Sequence, residues 1–409
     1  MSGMASTLPR LDGLPVAVFG FDIAEAAQIR RIRSLIALGC EVTSFCQRRE
    51  GGADFTPEWQ NIDLGLVRHN DIRGRALGAG AAVRRAMRGW RQLAEARLVI
   101  ARNLDLALIA LTARRLAALR AGRRAPPLVY ECLDIHDLMT RTDRVGAVMR
   151  RAERHVLSRA ALLVVSSPGF VQNYFGPVQN YRGPVALVEN KLWLGLDPAQ
   201  CPPRPAPDAR VQGGPLTIGL VGSIRCQASV ELLMRTADLM GDRLRLRISG
   251  ALHEHSLSGF HQALAARSNV EWTGPYAYPA GLAQAYAGCD LVWAQDMWQR
   301  GTNSDWLLPN RIYEASWCGC PTVGLADTQT GARIAGDSLG WTIERPAPEA
   351  LVALLSSLTP QELASQRAAL LARPDSDFVQ GADDVRPFLA PVSGVLPGQA
   401  AQPLRQMAG

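Results

Sequence analysis

The chain has 409 residues, 47% hydrophobic and 20% charged, a composition that supports more than one large core and excludes general disorder. No apolar run nears the roughly 18 residues of a spanning helix, and the first residues lack a basic stretch followed by an apolar one, so neither an integral membrane protein nor a secreted one is expected. Eight scattered cysteines form no CxxC pair, which excludes a zinc ribbon and implies reduced thiols in a cytoplasmic protein.

The net charge of +7 is unevenly distributed. Residues 1–200 hold 28 basic and 18 acidic groups (+10), and residues 201–409 hold 16 and 19 (−3). The positive excess lies in the first half and points to an anionic partner there. Lys191 is the one lysine among 44 basic residues, a bias of coding rather than of chemistry.

In chain order, short apolar runs at 16–19, 41–45, 98–101, 128–130, 162–165 and 185–188 read as strands, with helical patterns such as 27–38 and 148–160 between them. Residues 68–97 carry eight arginines against Asp71 and Glu95, a local charge of +6. Within them Val83, Met87, Trp90 and Ala94 recur at helical spacing, and Arg84, Arg88 and Arg91 form the neighbouring face. Residues 195–215 contain six prolines and read as a linker. The second half repeats the pattern, with strands expected at 217–221, 244–248, 270–273, 291–294, 321–325 and 341–343, then helices at 348–358 and 361–371 and a Pro/Gly/Ala/Gln-rich tail. Each half opens with a strand ending in glycine, Gly20 or Gly222, followed by a helix. This is an α/β pattern of parallel sheets, runs so apolar being buried on both faces. Ligands of such sheets bind outside the carboxyl ends of the strands.

The strongest chemical signal is the run 303–325. A helix starts after Pro309, carries Arg311 and Glu314 on one face, and stops at Gly319 and Pro321. A carboxylate there can accept two hydrogen bonds from vicinal hydroxyls, and an adjacent arginine can balance a phosphate. An i,i+3 surface ion pair is the plainer alternative. The second signal is the turn Gly222, Ser223, Ile224, Arg225, Cys226 between a strand and a helix, where backbone N–H groups and a guanidinium can face a diphosphate. Neither glycine turn is a GxGxxG fingerprint. In the first half Asp134, His136 and Asp137 follow the strand at 128–130, where the imidazole can bind a hydroxyl, deprotonate it, or simply cap a turn. Glu189 and Asn190, and Phe21, Asp22 and Glu25, also stand at strand ends, where capping accounts for them equally well.

Three runs together, Gly222 to Cys226, Glu271 to Tyr276 and Asn303 to Pro321, resemble the nucleotide-sugar half of GT-B glycosyltransferases of family 4, most closely those that build succinoglycan-type bacterial exopolysaccharides. The first half resembles them at its strand–helix opening, at 130–138 and at 188–193. The resemblance implies GT-B architecture: two doubly wound Rossmann-like domains facing a cleft and joined by the Pro-rich linker. It divides the chain into an acceptor domain (1–194), the linker (195–214), a donor domain (215–345), helices that pack back on the first domain (346–390) and a tail (391–409).

It further implies transfer of a hexose from a UDP-sugar or other nucleoside diphosphate sugar to a lipid-diphosphate-linked saccharide, without a metal or other cofactor. Glu314 would hold the ribose. Arg225 and Arg311 would stabilise the leaving diphosphate, with Gly222, Ser223 and Asn310 lining it, while Asp134 and His136 would meet the acceptor. The family commonly places a second glutamate eight residues before the first, where this chain has Trp306, so Asn303, Ser304 and Asp305 would supply the sugar contacts. The one DxD, Asp375 to Asp377, reads as a solvated turn. Acceptors of this kind lie at the inner face of the bacterial plasma membrane, and Arg84, Arg85, Arg88 and Arg91 would attach the protein peripherally to that anionic surface. No aromatic platform accompanies the arginines, so nucleic acid is not expected. A nucleotide-sugar 2-epimerase of the same fold and a non-catalytic nucleotide-binding relative are the alternatives.

Overall fold

The computed structural model describes residues 12–49, 55–67, 72–194, 204 and 214–393, the side chains of 72–77 excepted. Most of the proline-rich segment at 195–214 and the tail from 394 lie outside the described residues, as do Arg68 and Asp71.

The chain forms two compact units, one of Met1–Glu189 with Gly381–Gly409, the other of Asn190–Gln380. The first is built on a seven-stranded sheet of β1 (Leu14–Gly20), β2 (Cys40–Arg49), β3 (Gln60–Val67), β4 (Leu98–Arg102), β5 (Leu128–Cys132), β6 (Leu162–Val165) and β7 (Val185–Leu187), in the order β3-β2-β1-β4-β5-β6-β7. The second has β8 (Leu216–Val221), β9 (Leu244–Ser249), β10 (Val270–Trp272), β11 (Leu291–Trp293), β12 (Thr322–Leu325) and β13 (Gly340–Ile343), in the order β10-β9-β8-β11-β12-β13. Every pairing is parallel. Both sheets reverse direction next to their first strand, at β1/β4 and at β8/β11, which makes each a doubly wound Rossmann-like unit of the GT-B kind. The central strands β4, β5 and β6 are buried along their whole length, as expected of parallel strands covered on both faces.

The first unit's core joins Val16, Val18, Ile32, Leu98, Ile100 and Val129 to Val385, Phe388 and Leu389, so the segment from Gly381 completes it. The helices Pro348–Ser357 and Pro360–Ala372 belong instead to the second unit, where Leu351 and Leu355 enter the core around Ile218, Leu233 and Leu246. The return to the first unit thus begins at Gly381 rather than at 346, because the apolar faces of these two helices are already covered by second-unit residues. Arg204 ties the linker region to the second unit, donating to the carbonyls of Trp317 (3.0 Å) and Leu370 (3.1 Å) and pairing with Asp375 (3.0 Å). Asp377 pairs with Arg373 at 2.7 Å, so both carboxylates of the DxD are engaged by arginines.

The basic segment forms the helix Ile72–Ala86, a tight turn Met87–Gly89 and the helix Trp90–Glu95. Its buried positions are Ala82, Ala86, Gly89, Leu93 and Ala94; Ala94 is buried as expected, but Val83, Met87 and Trp90 are half-buried and the residue before each of them takes the core instead. Gly89 explains the shift. A Cβ there would lie 2.9 Å from Ile62 and 3.0 Å from Phe45, so the missing side chain lets this turn close onto β2 and β3. Arg84, Arg88 and Arg91 are exposed, whereas Arg85 turns inward and donates to the Leu64 carbonyl at 3.0 Å. That contact removes Arg85 from the expected anionic-surface set. No helix of the described residues is long and apolar enough to cross a membrane.

Candidate active site

The second unit's site grows from its switch point. β8 ends at Val221, and Gly222 takes φ +113°, a conformation that favours glycine. Gly222 N–H donates to Ser249 O at 2.9 Å, and Ile224 N–H to Ala251 O at 2.9 Å, so the turns after β8 and β9 run side by side. Gly250 permits that approach, since a Cβ on it would overlap the Gly222 carbonyl. The pairing brings His253 to Ser223, with Nε2 and Oγ 2.7 Å apart.

Arg311, on the first turn of the helix Asn310–Trp317, reaches back to the strand ends. Its Nε donates to Val221 O at 2.5 Å and its Nη1 to Trp293 O at 3.4 Å, so one guanidinium spans β8 and β11 directly under the Gly222 turn. The arginine satisfies both carbonyls while leaving its charge at the site. Arg225 is half exposed and pairs with Asp296, just past β11, at 3.4 Å. Asp296 also accepts from Ser304 Oγ at 2.7 Å and from the Trp298 N–H at 2.7 Å.

Glu314 lies one turn after Arg311, buried at 7% exposure, and accepts from Tyr286 Oη at 3.3 Å. Burial first, then the Glu314 carboxylate, pushes the phenols of Tyr286 and Tyr276 up, so both remain donors at any working pH. Asn310 Oδ1 accepts from Asn190 Nδ2 at 2.6 Å. Ser304 is fully enclosed and donates to Asp296, and Asp305 accepts from Arg300 (2.5 Å) and the Gly301 N–H (2.8 Å). Asn303, Ser304 and Asp305 therefore form the short turn that positions Asp296, with Asn303 buried as well.

The structure thus gathers Gly222, Ser223, Arg225, Asn310, Arg311 and Glu314 around the β8/β11 switch point, and joins Ser304 to them through Asp296. Sequence reasoning missed His253, Asp296, Tyr276 and Tyr286. Asp296 was findable as the first carboxylate past an apolar strand; His253 carries no spacing signal, because only the pairing of two turns brings it to Ser223.

Asp134 and His136 lie in the first unit, exposed beyond β5. His136 is the N-cap of the short helix Asp137–Thr140: its Nδ1 accepts the Leu138 N–H at 3.3 Å, which Asp137 also accepts at 2.8 Å, and the imidazole sits against the Asp137 carboxylate.

Beneath the first unit's switch point a buried charge cluster fixes the strand ends. Glu131 accepts from Arg31 Nε at 2.9 Å and from Arg102 Nε at 3.2 Å, and Arg102 reaches Glu25 at 3.2 Å. Burial pushes the Glu131 carboxyl up, but the two guanidinium groups more than offset this and hold it below its ordinary value. Arg31 also lies over the Phe388 ring at 4.5 Å.

Comparison with known proteins found a relative 33% identical over 360 residues, 85% of each chain, the succinoglycan biosynthesis protein ExoL of Rhizobium meliloti. No family model matches. Similar solved structures include sucrose-phosphate synthase from Thermosynechococcus elongatus (TM-score 0.67, 14% identity, 91% of this chain and 96% of that one). Anabaena HepE in complex with UDP (0.64, 14%, 93% and 100%) and the lipopolysaccharide glycosyltransferase WaaG (0.56, 15%, 94% and 100%) share the same fold.

Proposed function

The chain belongs to the family of GT-B-fold glycosyltransferases that includes the succinoglycan biosynthesis protein ExoL, and from that membership we propose that it moves a hexose from a nucleoside diphosphate sugar to a lipid-diphosphate-linked saccharide during exopolysaccharide synthesis. The observation that carries the donor side is the convergence of Arg311, Arg225 and the Gly222 turn at the β8/β11 switch point. HepE is known in complex with UDP, with UDP and glucose, and with UDP-glucose, which supports a uridine donor.

In this reading the Glu314 carboxylate accepts the two ribose hydroxyls, and the Tyr286 hydroxyl fixes its orientation. As the bond between the anomeric carbon and the diphosphate oxygen breaks, the electron pair goes to the diphosphate. Its growing charge is met by Arg225, by Arg311 and by the N–H groups that open the helix Gln227–Met240. The acceptor hydroxyl oxygen takes the anomeric carbon and releases a proton, for which His136 is the proposed base and Asp134 a hydroxyl-binding partner. The residues supply the positive charge themselves, so the reading requires no metal. Work takes place on the cytoplasmic face of the membrane, where such acceptors lie.

Glu314→Ala should lower kcat/KM for the donor about 10- to 100-fold, the worth of charge-assisted hydrogen bonds, with unchanged circular dichroism. Full activity in that variant overturns the ribose assignment. A thermal-shift screen with nucleoside diphosphates should show selective stabilisation by UDP, by about 2.7 kcal/mol at a ligand concentration a hundred times Kd.

A further inference from the structure

His253 has no part in the donor chemistry above, yet the fold holds it from both sides. Beyond β8 and β9 the two chains stay together as a short parallel pair, bridged at Ile224 and Leu252. The His253 N–H donates to the Ile224 carbonyl at 3.0 Å, and the His253 carbonyl accepts from the Ser256 N–H at 2.9 Å as the short turn of helix Glu254–Ser256 begins. Main-chain bonds thus fix where the half-buried side chain starts, and its ring ends with Nε2 2.7 Å from Ser223 Oγ. Ser223 stands between Gly222 and Arg225, on the turn where the donor diphosphate is placed above.

An imidazole and a hydroxyl can share that hydrogen bond in two ways. A neutral ring with its proton on Nδ1 accepts at Nε2, and the Ser223 hydrogen is spent on the histidine. A protonated ring donates from both nitrogens, so Ser223 Oγ accepts and its hydrogen turns outward. Protonation therefore does two things for an anion at this turn: it adds a charge and it frees a hydroxyl donor. The carboxylates on the surrounding elements each have a cation of their own. Glu254 lies 3.5 Å from His261 of the helix Phe260–Ala265, Asp296 past β11 pairs with Arg225 at 3.4 Å, and Glu271 on β10 lies 3.8 Å from Arg247. The His255 ring stands edge-on to that of His253, their centroids 5.8 Å apart. Arg225 and Arg311 add positive charge at the same turn, which disfavours a further cation until an anion arrives.

We infer that His253 is a positioning residue for the donor diphosphate: once protonated it holds Ser223 as an acceptor, turns the serine hydroxyl toward a phosphate oxygen and adds its own charge, so that the donor binds together with a proton. Binding of the dianion favours the charged ring, and by linkage the charged ring favours the dianion. Donor affinity then rises as pH falls from about 8 to about 6, the range in which an imidazole gains its proton. This role presupposes the donor reading above, but the turn could hold a diphosphate without any help from His253, so the two can fail separately.

The test is isothermal titration calorimetry of the full chain with UDP-glucose between about pH 6 and pH 8, in buffers of different ionisation heat so that proton uptake is counted. Should uridine not be the base, whichever of ADP-glucose and GDP-glucose binds takes its place. A sugar diphosphate keeps its charge across this range, whereas the terminal phosphate of a free nucleotide titrates near about pH 6. The wild type should bind about three- to tenfold more tightly at the acid end, with net proton uptake. His253→Gln keeps a neutral hydrogen-bonding group beside Ser223; it should lose the uptake and the pH dependence while matching the wild type at the alkaline end. Ser223→Ala, a lesser change to the turn, should weaken the pH dependence, and His255→Gln should leave it as it was. A wild type without proton uptake, a profile that survives undiminished in His253→Gln or in Ser223→Ala, or one that vanishes in His255→Gln would each overturn the role of His253 and leave the donor reading standing. Failure of all three sugar nucleotides to bind would overturn both.

Discussion

Arg225 and Arg311 carry the same charge to the same turn but are held differently. Arg311 is bound to two strand-end carbonyls, whereas Arg225 is half exposed and pairs across a loop with Asp296. Arg225→Ala should therefore lower kcat with little change in stability, while Arg311→Ala should lower both, because two buried carbonyls lose their donor at a cost of about 1–3 kcal/mol each. Steady-state kinetics beside urea titration separates the two. Glu131 gives a sharper stability test. Its pKa is depressed on folding, so its contribution is present above the ordinary glutamate value and is lost as pH falls through the folded value. Glu131→Gln leaves Arg31 and Arg102 buried against a neutral amide and should cost about 3–5 kcal/mol near pH 7. The difference between the two proteins should shrink as pH falls below the ordinary glutamate value and through the depressed folded one, as followed by denaturant titration across pH.

Among elements, the apolar strands were legible, edge strands β7, β10 and β13 included. β4, β5, β6, β8, β9 and β11 lie within a residue or two of the expected apolar runs. β3 was missed because Gln60, Asn61, Asp63 and Gly65 interrupt its pattern; it is the outermost strand of its sheet, and half its residues meet solvent or loops. The basic helix was recognised but its buried stripe was misplaced, since the fit of Gly89 against Ile62 and Phe45 depends on a strand absent from the expected set. Site residues followed the same division. Glu314 and Arg311 sit on a helix whose start and stop are written in Pro309, Gly319 and Pro321, whereas His253 depends on how two turns pair. The element with the least sequence signal is the segment from Gly381. Phe388 is fully buried there against the first unit's core and Arg31. Phe388→Ala should destabilise that unit by about 3–5 kcal/mol, measurable by chemical denaturation.

For the whole molecule, the uneven charge noted at the outset has a structural counterpart. The acidic half supplies a few arginines fixed at strand ends, and the basic half spreads arginines over an outer helix layer. Each unit has its own core, so calorimetry should resolve two transitions, with UDP raising the one that belongs to Asn190–Gln380. A single transition shifted as a whole would show the units to be thermodynamically inseparable. The path of the chain also has a temporal consequence. One unit is continuous, but the other is interrupted at Glu189 and resumes at Gly381. On the ribosome the first-made sheet must wait, with the slots for Val385, Phe388 and Leu389 open, while about 190 residues of the other unit are synthesised, some 10–40 s at ordinary elongation rates. The unit translated second is therefore the first able to finish folding, and a nascent chain released early would carry a complete second unit and an unfinished first one that exposes apolar surface to chaperones and proteases.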